Sequence, residues 1–557
     1  MVGHGGSPRP RGPSGGDTRG WGRASPDQTL REAGTFDARG NGGPDSAQFR
    51  HLTGTRLPCE YDANILSEVV MLDSNQEQAA AHVVVVGAGL AGLAAADAVC
   101  ERQGPGAARV TILEPAAHPG GVLGTVRLDG WLVERSADCF LAARPEGMAL
   151  VERLGLHGEL VGVDPRVRRA LVWHAGRAVP VPRGFRLLAP GDVSGILHSS
   201  LLSPAGRLRV LAERFVSRRT AGPEESLEAF AVRRLGREAF ERLVQPLAAG
   251  IWTADPARLG MAAACPEFVA MERDHGSLWA GERARLRETS AGAATGARYG
   301  QFVSFLGGMQ TLTDRLAEAL RGRGVVIRAA RVERLARAGD RWRVSAESPD
   351  GSGDTLAADA VIVATRTPTA AVLLAGVDPD LAADLAGIAY AGSAIVSLGF
   401  ARNEVAHPLD AAGLVVPRRA GRRALAVSFS SSKFPHRAPE GCVLVRVFLG
   451  GALDPESLAL DDGQLVDLAV TEAAALIGAT GRPRLVQVDR WAGAMPQYHV
   501  GHAERVARIE AAVTRHPRLA LAGAAYRGVG IPQVIASGQA AARKITGDLG
   551  ANGEPAH

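Results

Sequence analysis

The stretch HVVVVGAGLAGLAAADAVCERQGPGAARVTILE, His82 to Glu114, decides the fold. Val83 to Val86 is a short continuous apolar run, suited to a strand buried on both faces and too short for a helix that stands alone. It stops at G-x-G-x-x-G, written here Gly87-Ala88-Gly89-Leu90-Ala91-Gly92. The first glycine allows a tight turn, the second admits backbone to a pyrophosphate, and the third lets helix lie close on strand. Leu90 to Arg102 predicts the helix, whose N-terminus offers unpaired N–H groups and the positive dipole end to phosphates. Arg109 to Leu113 predicts the second strand, delivering Glu114 where an acid reaches a ribose hydroxyl. A carboxylate there disfavours a 2′-phosphate and so disfavours NADP. Strand, glycine turn, helix and acid together predict a dinucleotide site rather than a structural turn.

A chain of 557 residues exceeds one core, so two or more domains are expected. A hydrophobic content of 46% is ample for packed interiors, and a formal charge of +5 without a basic block excludes a nucleic-acid surface. Cys59, Cys100, Cys139, Cys265 and Cys442 are scattered, odd in number and without metal spacing. They predict a reducing compartment and argue against a disulfide framework or a structural metal. With no apolar run long enough to span a bilayer and no signal core, the expectation is a cytoplasmic protein, at most peripheral at the inner face of the membrane.

Residues 1–80 are rich in Gly, Pro, Arg and Ser and are expected to be a disordered extension. Met71, just before the first strand, is a candidate true start. After Glu114, Gly120-Gly121 again brings backbone close to something, and Val122–Arg127 with Gly130–Glu134 predicts a hairpin across Asp129-Gly130. Helical patterns follow at Glu225–Leu235 and Glu238–Ala249. Phe185 to Leu211 predicts an ordinary amphipathic helix pair of the second domain, with a peripheral membrane or substrate-mouth element as the alternative. Strands are predicted at Val325–Ala329, Arg331–Leu335, Trp342–Ala346 and Ala358–Thr365. An antiparallel sheet is predicted from Ile395–Phe400, Gly413–Val416, Arg423–Ser428 and Cys442–Leu449. Leu519 to Pro532 repeats strand, glycine turn and helix start, with the helix over Gln533–Ile545, and predicts a second backbone cradle built from the far end of the chain.

Several motifs carry a resemblance: Gly120-Gly121 with Thr125, Val133-Glu134 through Asp138-Cys139-Phe140-Leu141, Leu188 to Asp192, Pro246 to Asp255, Trp491 with Met495-Pro-Gln-Tyr498 and Gly501-His502, and Tyr526 to Pro532. Over residues 82 to about 547 the chain resembles the amine-oxidase-like flavoproteins, and within them the oxygen-dependent porphyrinogen oxidases of haem synthesis, which act on protoporphyrinogen IX or coproporphyrinogen III. The resemblance implies an α/β fold: a FAD/NAD(P)-binding Rossmann-like domain with a discontinuous α+β substrate-binding domain. The expected FAD domain comprises 81–145, 298–372 and 485–547, and the substrate domain 146–297 and 373–484, with a helical, membrane-proximal part at 184–219 and a flexible tail at 548–557.

The resemblance also implies non-covalent FAD. Gly87 to Gly92 would hold the pyrophosphate, with His118, Gly120 and Gly121 on the cofactor side. Glu114 would meet the adenosine ribose and Val332 the adenine. Ser136, Ala137, Asp138 and Trp491 would lie near the isoalloxazine, and Val529, Gly530 and Ile531 at its polar edge. The family usually has Arg where His118 stands and Gly-Pro where Ser136-Ala137 stands. No catalytic side chain is expected, because a flavin accepts the electrons itself. Arg144 is the candidate partner for a substrate carboxylate. Each turnover would pass two electrons to FAD and on to O₂, giving peroxide, with three cycles per porphyrin.

The rival readings are a carotenoid-desaturase-type enzyme, an amine oxidase, and a silent porphyrin- or flavin-binding protein. Amine oxidases commonly place an aromatic where Val529 stands. The choice between the two porphyrinogens, a homodimer, membrane attachment, and hand-off to the next haem-synthesis enzyme stay open at this level.

Overall fold

Val83–Val86 pairs in parallel with Val110–Leu113 on one side and Ala360–Val363 on the other, so the four valines are covered by neighbours in the sheet and by helices above and below it. The computed structural model describes residues 80–104, 108–220, 222–289 and 302–550. The extension expected before Ala80, Met71 within it, and the chain beyond residue 550 lie outside the described residues. Five parallel strands form the sheet, in the order Val326–Ala329, Ala108–Glu114, Ala81–Val86, Ala360–Val363 and Leu519–Leu521. Helices Leu90–Gln103, Gln310–Gly322 and Ile531–Gly550 bury one face. The other face is covered by an antiparallel meander, Arg331–Ala338, Arg341–Glu347 and Gly353–Ala358, and by helices Thr367–Leu374, Pro379–Ala386 and His502–Thr514. This is the expected Rossmann-like α/β arrangement.

A second sheet has seven strands, ordered Leu485–Pro496, Tyr390–Ala401, Cys442–Gly450, Ala424–Phe429, Gly413–Val415, Ala170–His174 and Arg177–Pro180. Its apolar face packs on helix Asp462–Ile477. The sheet is mixed rather than purely antiparallel, because Gly413–Val415 runs parallel to Ala170–His174. Leu485–Pro496, which begins where the FAD domain was expected to resume, lies along Tyr390–Ala401 in this sheet. Helices Leu227–Leu235, Arg237–Ala239, Gln245–Trp252, Pro266–His275 and Leu278–Thr289 gather around a separate apolar core.

Several predicted elements change on folding. The hairpin is Thr125–Leu128 with Trp131–Glu134; Asp129 at φ 47° and Gly130 at φ 82° form the two-residue turn, both left-handed as a type I′ turn requires. The helix predicted over Glu238–Ala249 contains a π turn at Phe240–Val244 just before Pro246, which cannot donate to the preceding turn. Phe185–Leu211 begins not as helix but as two short strands, Phe185–Arg186 and Ala189–Pro190, closed by Leu187 at φ 49°. The helices Val193–Leu197 and Pro204–Leu211 follow. The last helix runs on from Ile531 to Gly550. Cys100, Cys139 and Cys442 are free thiols.

Candidate functional site

The C-terminal edge of the parallel sheet gathers the predicted residues from four parts of the chain. At Gly92 an added Cβ would lie 1.9 Å from the Gly87 carbonyl oxygen, so only glycine lets helix Leu90–Gln103 start this close to its turn. That helix has no side-chain cap and no acid in its first turn, which leaves its N-terminal N–H groups to an outside acceptor. The Gly120 N–H donates to the Ala88 carbonyl at 2.8 Å, laying Gly120-Gly121 against the first turn. A Cβ added at Gly89 would meet only the Gly121 Cα, at 4.0 Å. Two bare backbones thus face each other across an open cradle. His118 is exposed in the loop that carries the pair.

Glu114 ends its strand at the same turn. Its carboxylate accepts the Ala88 N–H at 2.7 Å and the Ala116 N–H at 3.0 Å, fixing it beside the cradle. The Ala330 N–H donates to the Glu114 carbonyl, so Val332, two residues further on and buried, stands next to it.

From the cradle, polar contacts lead to the other predicted group. The Ser136 hydroxyl donates to the Val122 carbonyl beside the glycine pair. The Trp491 Nε1–H donates to the Arg135 carbonyl at 2.8 Å, and the Arg135 guanidinium lies over the indole, 5.7 Å from the ring centre, while pairing with buried Asp489 at 2.7 Å. Trp491 therefore abuts the segment Ser136-Ala137-Asp138. Gly523 follows the last strand of the sheet, and helix Ile531–Gly550 presses on Leu90–Gln103, where a Cβ at Gly538 would meet the Ala91 carbonyl at 2.4 Å. That packing brings Val529, Gly530 and Ile531 to the same sheet edge as Gly87. Val529 is half-buried against the helical core.

Arg144 caps helix Pro145–Arg153, with its side chain exposed and without a polar partner among the described residues. The helix touches the second turn, since a Cβ at Gly147 would meet Pro532 at 3.4 Å.

Beneath Ser136–Asp138 lies an ionic cluster that the sequence reading missed. Lys433 pairs with Asp138, and Arg446 reaches Asp138 at 3.3 Å and donates to the Ser136 carbonyl. Burial alone would raise the Asp138 carboxyl, but the ammonium and guanidinium hold it well below the usual carboxylate range. Burial pushes the neighbouring Cys139 thiol far up. Glu134 is also pushed up by burial, against hydrogen bonds from the Thr125 hydroxyl and the Met309 N–H and the pull of Arg437, 3.5 Å away. Both cations carried a signal. Arg446 interrupts the apolar run Cys442–Gly450, and Lys433 is one of two lysines in the chain.

An uncapped helix N-terminus, two bare glycine cradles and a fixed carboxylate at the adenosine end match the chemistry of FAD. A dinucleotide laid from Glu114 across Gly87–Gly92 would end with its ring system by Ser136–Asp138, Trp491 and Val529–Ile531.

Comparison with known proteins gives the family and the fold. The family model for flavin containing amine oxidoreductase matches residues 90–546. The chain is similar to a coproporphyrinogen III oxidase of Bacillus subtilis, 31% identical over 466 residues that cover 83% of this chain and 97% of the relative. It is also similar to a chloroplastic protoporphyrinogen oxidase of Nicotiana tabacum, 28% identical over 84% of this chain and 85% of that one. A crystal structure from Exiguobacterium sp. 255-15 superposes with a TM-score of 0.73 at 29% identity, covering 84% of this chain and 99% of that one.

Proposed function

The chain belongs to the flavin-containing amine oxidoreductase family, and from that premise we propose that it oxidises a porphyrinogen to the corresponding porphyrin in haem synthesis, with coproporphyrinogen III preferred over protoporphyrinogen IX. FAD is the cofactor. The carrying observation is the match to a relative named for coproporphyrinogen III, which covers 97% of that relative; the bare glycine turns and the fixed Glu114 at the sheet edge support it.

When bound, FAD supplies a two-electron acceptor, the hard chemistry being the cofactor's own. The protein's share is position. Trp491 and the Ser136–Asp138 segment form one rigid wall, because the indole N–H, the Ser136 hydroxyl and Asp138 all have partners. Asp138, ionised between two cations, serves as an anchor rather than a base. Arg144 offers a planar fork to a substrate propionate from the rim of the cleft, where both oxygens of a carboxylate can be met. Removing six electrons from the macrocycle reduces three O₂ to three H₂O₂.

Residues 184–219 hold six arginines against two acids. They expose Leu208 at 66% and Phe215 at 74%, with the Arg214 guanidinium 4.7 Å over the Phe215 ring. Apolar tips ringed by arginine suit peripheral contact with anionic lipid; cosedimentation with anionic vesicles and not with neutral ones is the expected outcome. Among the described residues no helix is long and apolar enough to cross a membrane.

The purified yellow protein should turn non-fluorescent coproporphyrinogen III into fluorescent porphyrin with three O₂ consumed per product, and act more slowly on protoporphyrinogen IX. Flavin binding without porphyrin formation from either substrate would favour the silent-binder reading instead.

A further inference from the structure

The motif Met495-Pro-Gln-Tyr498 with Gly501-His502 has no role in the site described above, yet its tyrosine reaches that site from behind. Tyr498 is 1% exposed. Its hydroxyl donates to the Ala524 carbonyl at 2.5 Å and accepts the Gly528 N–H at 2.8 Å. One oxygen atom thus spans the short helix Ala524–Arg527 and pins the residue immediately before Val529. Gly528 sits at φ 137°, a backbone state that favours glycine. The Tyr498 ring is itself fixed, stacked on His502 with centres 4.0 Å apart and planes 13° apart.

The same segment is tied to the substrate side. The Gly260 N–H donates to the Tyr498 carbonyl at 2.7 Å, the Gln497 side-chain amide donates to the Trp252 carbonyl at 3.3 Å, and the Gly501 N–H donates to Glu224 at 2.7 Å. Tyr498 belongs to the apolar core of the helical region, against which Val529 also packs. Its ring is therefore anchored in one region while its hydroxyl governs a turn in another.

We propose that Tyr498 is a positioning residue for the cofactor: its hydroxyl holds the Gly528–Ile531 turn so that backbone N–H groups at the start of helix Ile531–Gly550 face the polar edge of the flavin ring. This rests on the assignment of Val529–Ile531 to that edge. N–H donors held there stabilise the negative charge that accumulates on the ring as it takes up electrons. Slackening the turn weakens FAD binding and makes the cofactor harder to reduce.

The test uses the full-length holoprotein with Tyr498→Phe, which keeps the ring and deletes only the hydroxyl. Expected are a roughly tenfold rise in the Kd of oxidised FAD and about a hundredfold rise in that of reduced FAD, so that the midpoint potential is more negative by about 30 mV, the two-electron equivalent of the extra tenfold loss. The KM for porphyrinogen should stay unchanged. A merely structural role would lower Tm and leave the potential alone, and that result overturns the proposal. Gly530→Ala is the companion variant, its added methyl meeting only the movable end of Gln533. If Gly530→Ala shifts the potential and Tyr498→Phe does not, the role of Tyr498 is wrong while the edge assignment stands. If neither shifts it, the edge assignment itself fails. Should Tyr498→Phe not fold, hydrogen exchange on the FAD-free wild type decides: protection of the Gly528 amide supports the strut, and rapid exchange there refutes it.

Discussion

Arg446 and Lys433 show what one side chain can demand of its surroundings. An arginine 1% exposed in the middle of a strand must find acceptors, and it finds the Ser136 carbonyl and Asp138. Replacing Lys433 with Met leaves Asp138 buried with one cation instead of two, and urea unfolding should show a loss of about 3 kcal/mol. Arg144→Ala, by contrast, removes an exposed side chain; the KM for porphyrinogen should rise severalfold with kcat and stability nearly unchanged. His502 gives a pH prediction. Burial lowers its pKa to about 4, aided by Arg505 and His499, from an ordinary value of 6.5. The unfolded chain therefore binds a proton that the folded one refuses between these values, and stability falls as pH drops through that window, by up to about 3 kcal/mol. His502→Phe, which keeps a ring against Tyr498, should flatten the decline of Tm between pH 6.5 and 4. At this scale the glycines and Glu114 were legible because their spacing is local. Arg446 and Lys433 were not, since their partners lie 310 and 295 residues away; Tyr498 stood in a quoted motif, but its bonds to Ala524 and Gly528 leave no local pattern.

Elements with strong internal signals kept their predicted identity: the valine strand, the Ala-rich helix after it, and the hairpin closed by Asp129-Gly130. Those that went unread lacked such signals. Gly353–Ala358 is short, largely exposed and without apolar alternation, and is a strand only because Arg341–Glu347 pairs with it. The π turn at Phe240–Val244 goes with Pro246, whose missing N–H the helical pattern of Glu238–Ala249 conceals. The crossing of helices Leu90–Gln103 and Ile531–Gly550 depends on Gly538 lying against the Ala91 carbonyl. Gly538→Ala inserts a methyl where 2.4 Å is available. The helices must part, with an expected loss of about 1–3 kcal/mol, measurable by thermal unfolding, and FAD should be retained less well through purification.

At the scale of the whole molecule, the proposed cofactor cleft closes only when segments near residues 87, 114, 136, 491 and 530 meet. FAD binding should therefore stabilise the entire cooperative unit, by about 2.7 kcal/mol at a hundredfold excess over Kd. Stripping FAD should lower Tm, and titrating it back should restore Tm in a concentration-dependent way. The fold class could be read from the sequence because each βα unit is local, whereas of the seven-stranded sheet only the run between Ile395 and Leu449 could, since Ala170–His174, Arg177–Pro180 and Leu485–Pro496 join it from far along the chain. The strand Leu519–Leu521, last in sequence yet an edge of the first sheet, sets a schedule for biosynthesis. Between emergence of Gly87 and of Ile531 the ribosome adds 444 residues, roughly 20–90 s of synthesis at ordinary bacterial speeds. For the last part of that interval, from Val363 to Leu519, the nascent chain carries a four-stranded sheet with Ala360–Val363 as a naked edge. A stalled or prematurely terminated product would be flavinless and sticky, and so a ready client for chaperones and proteases.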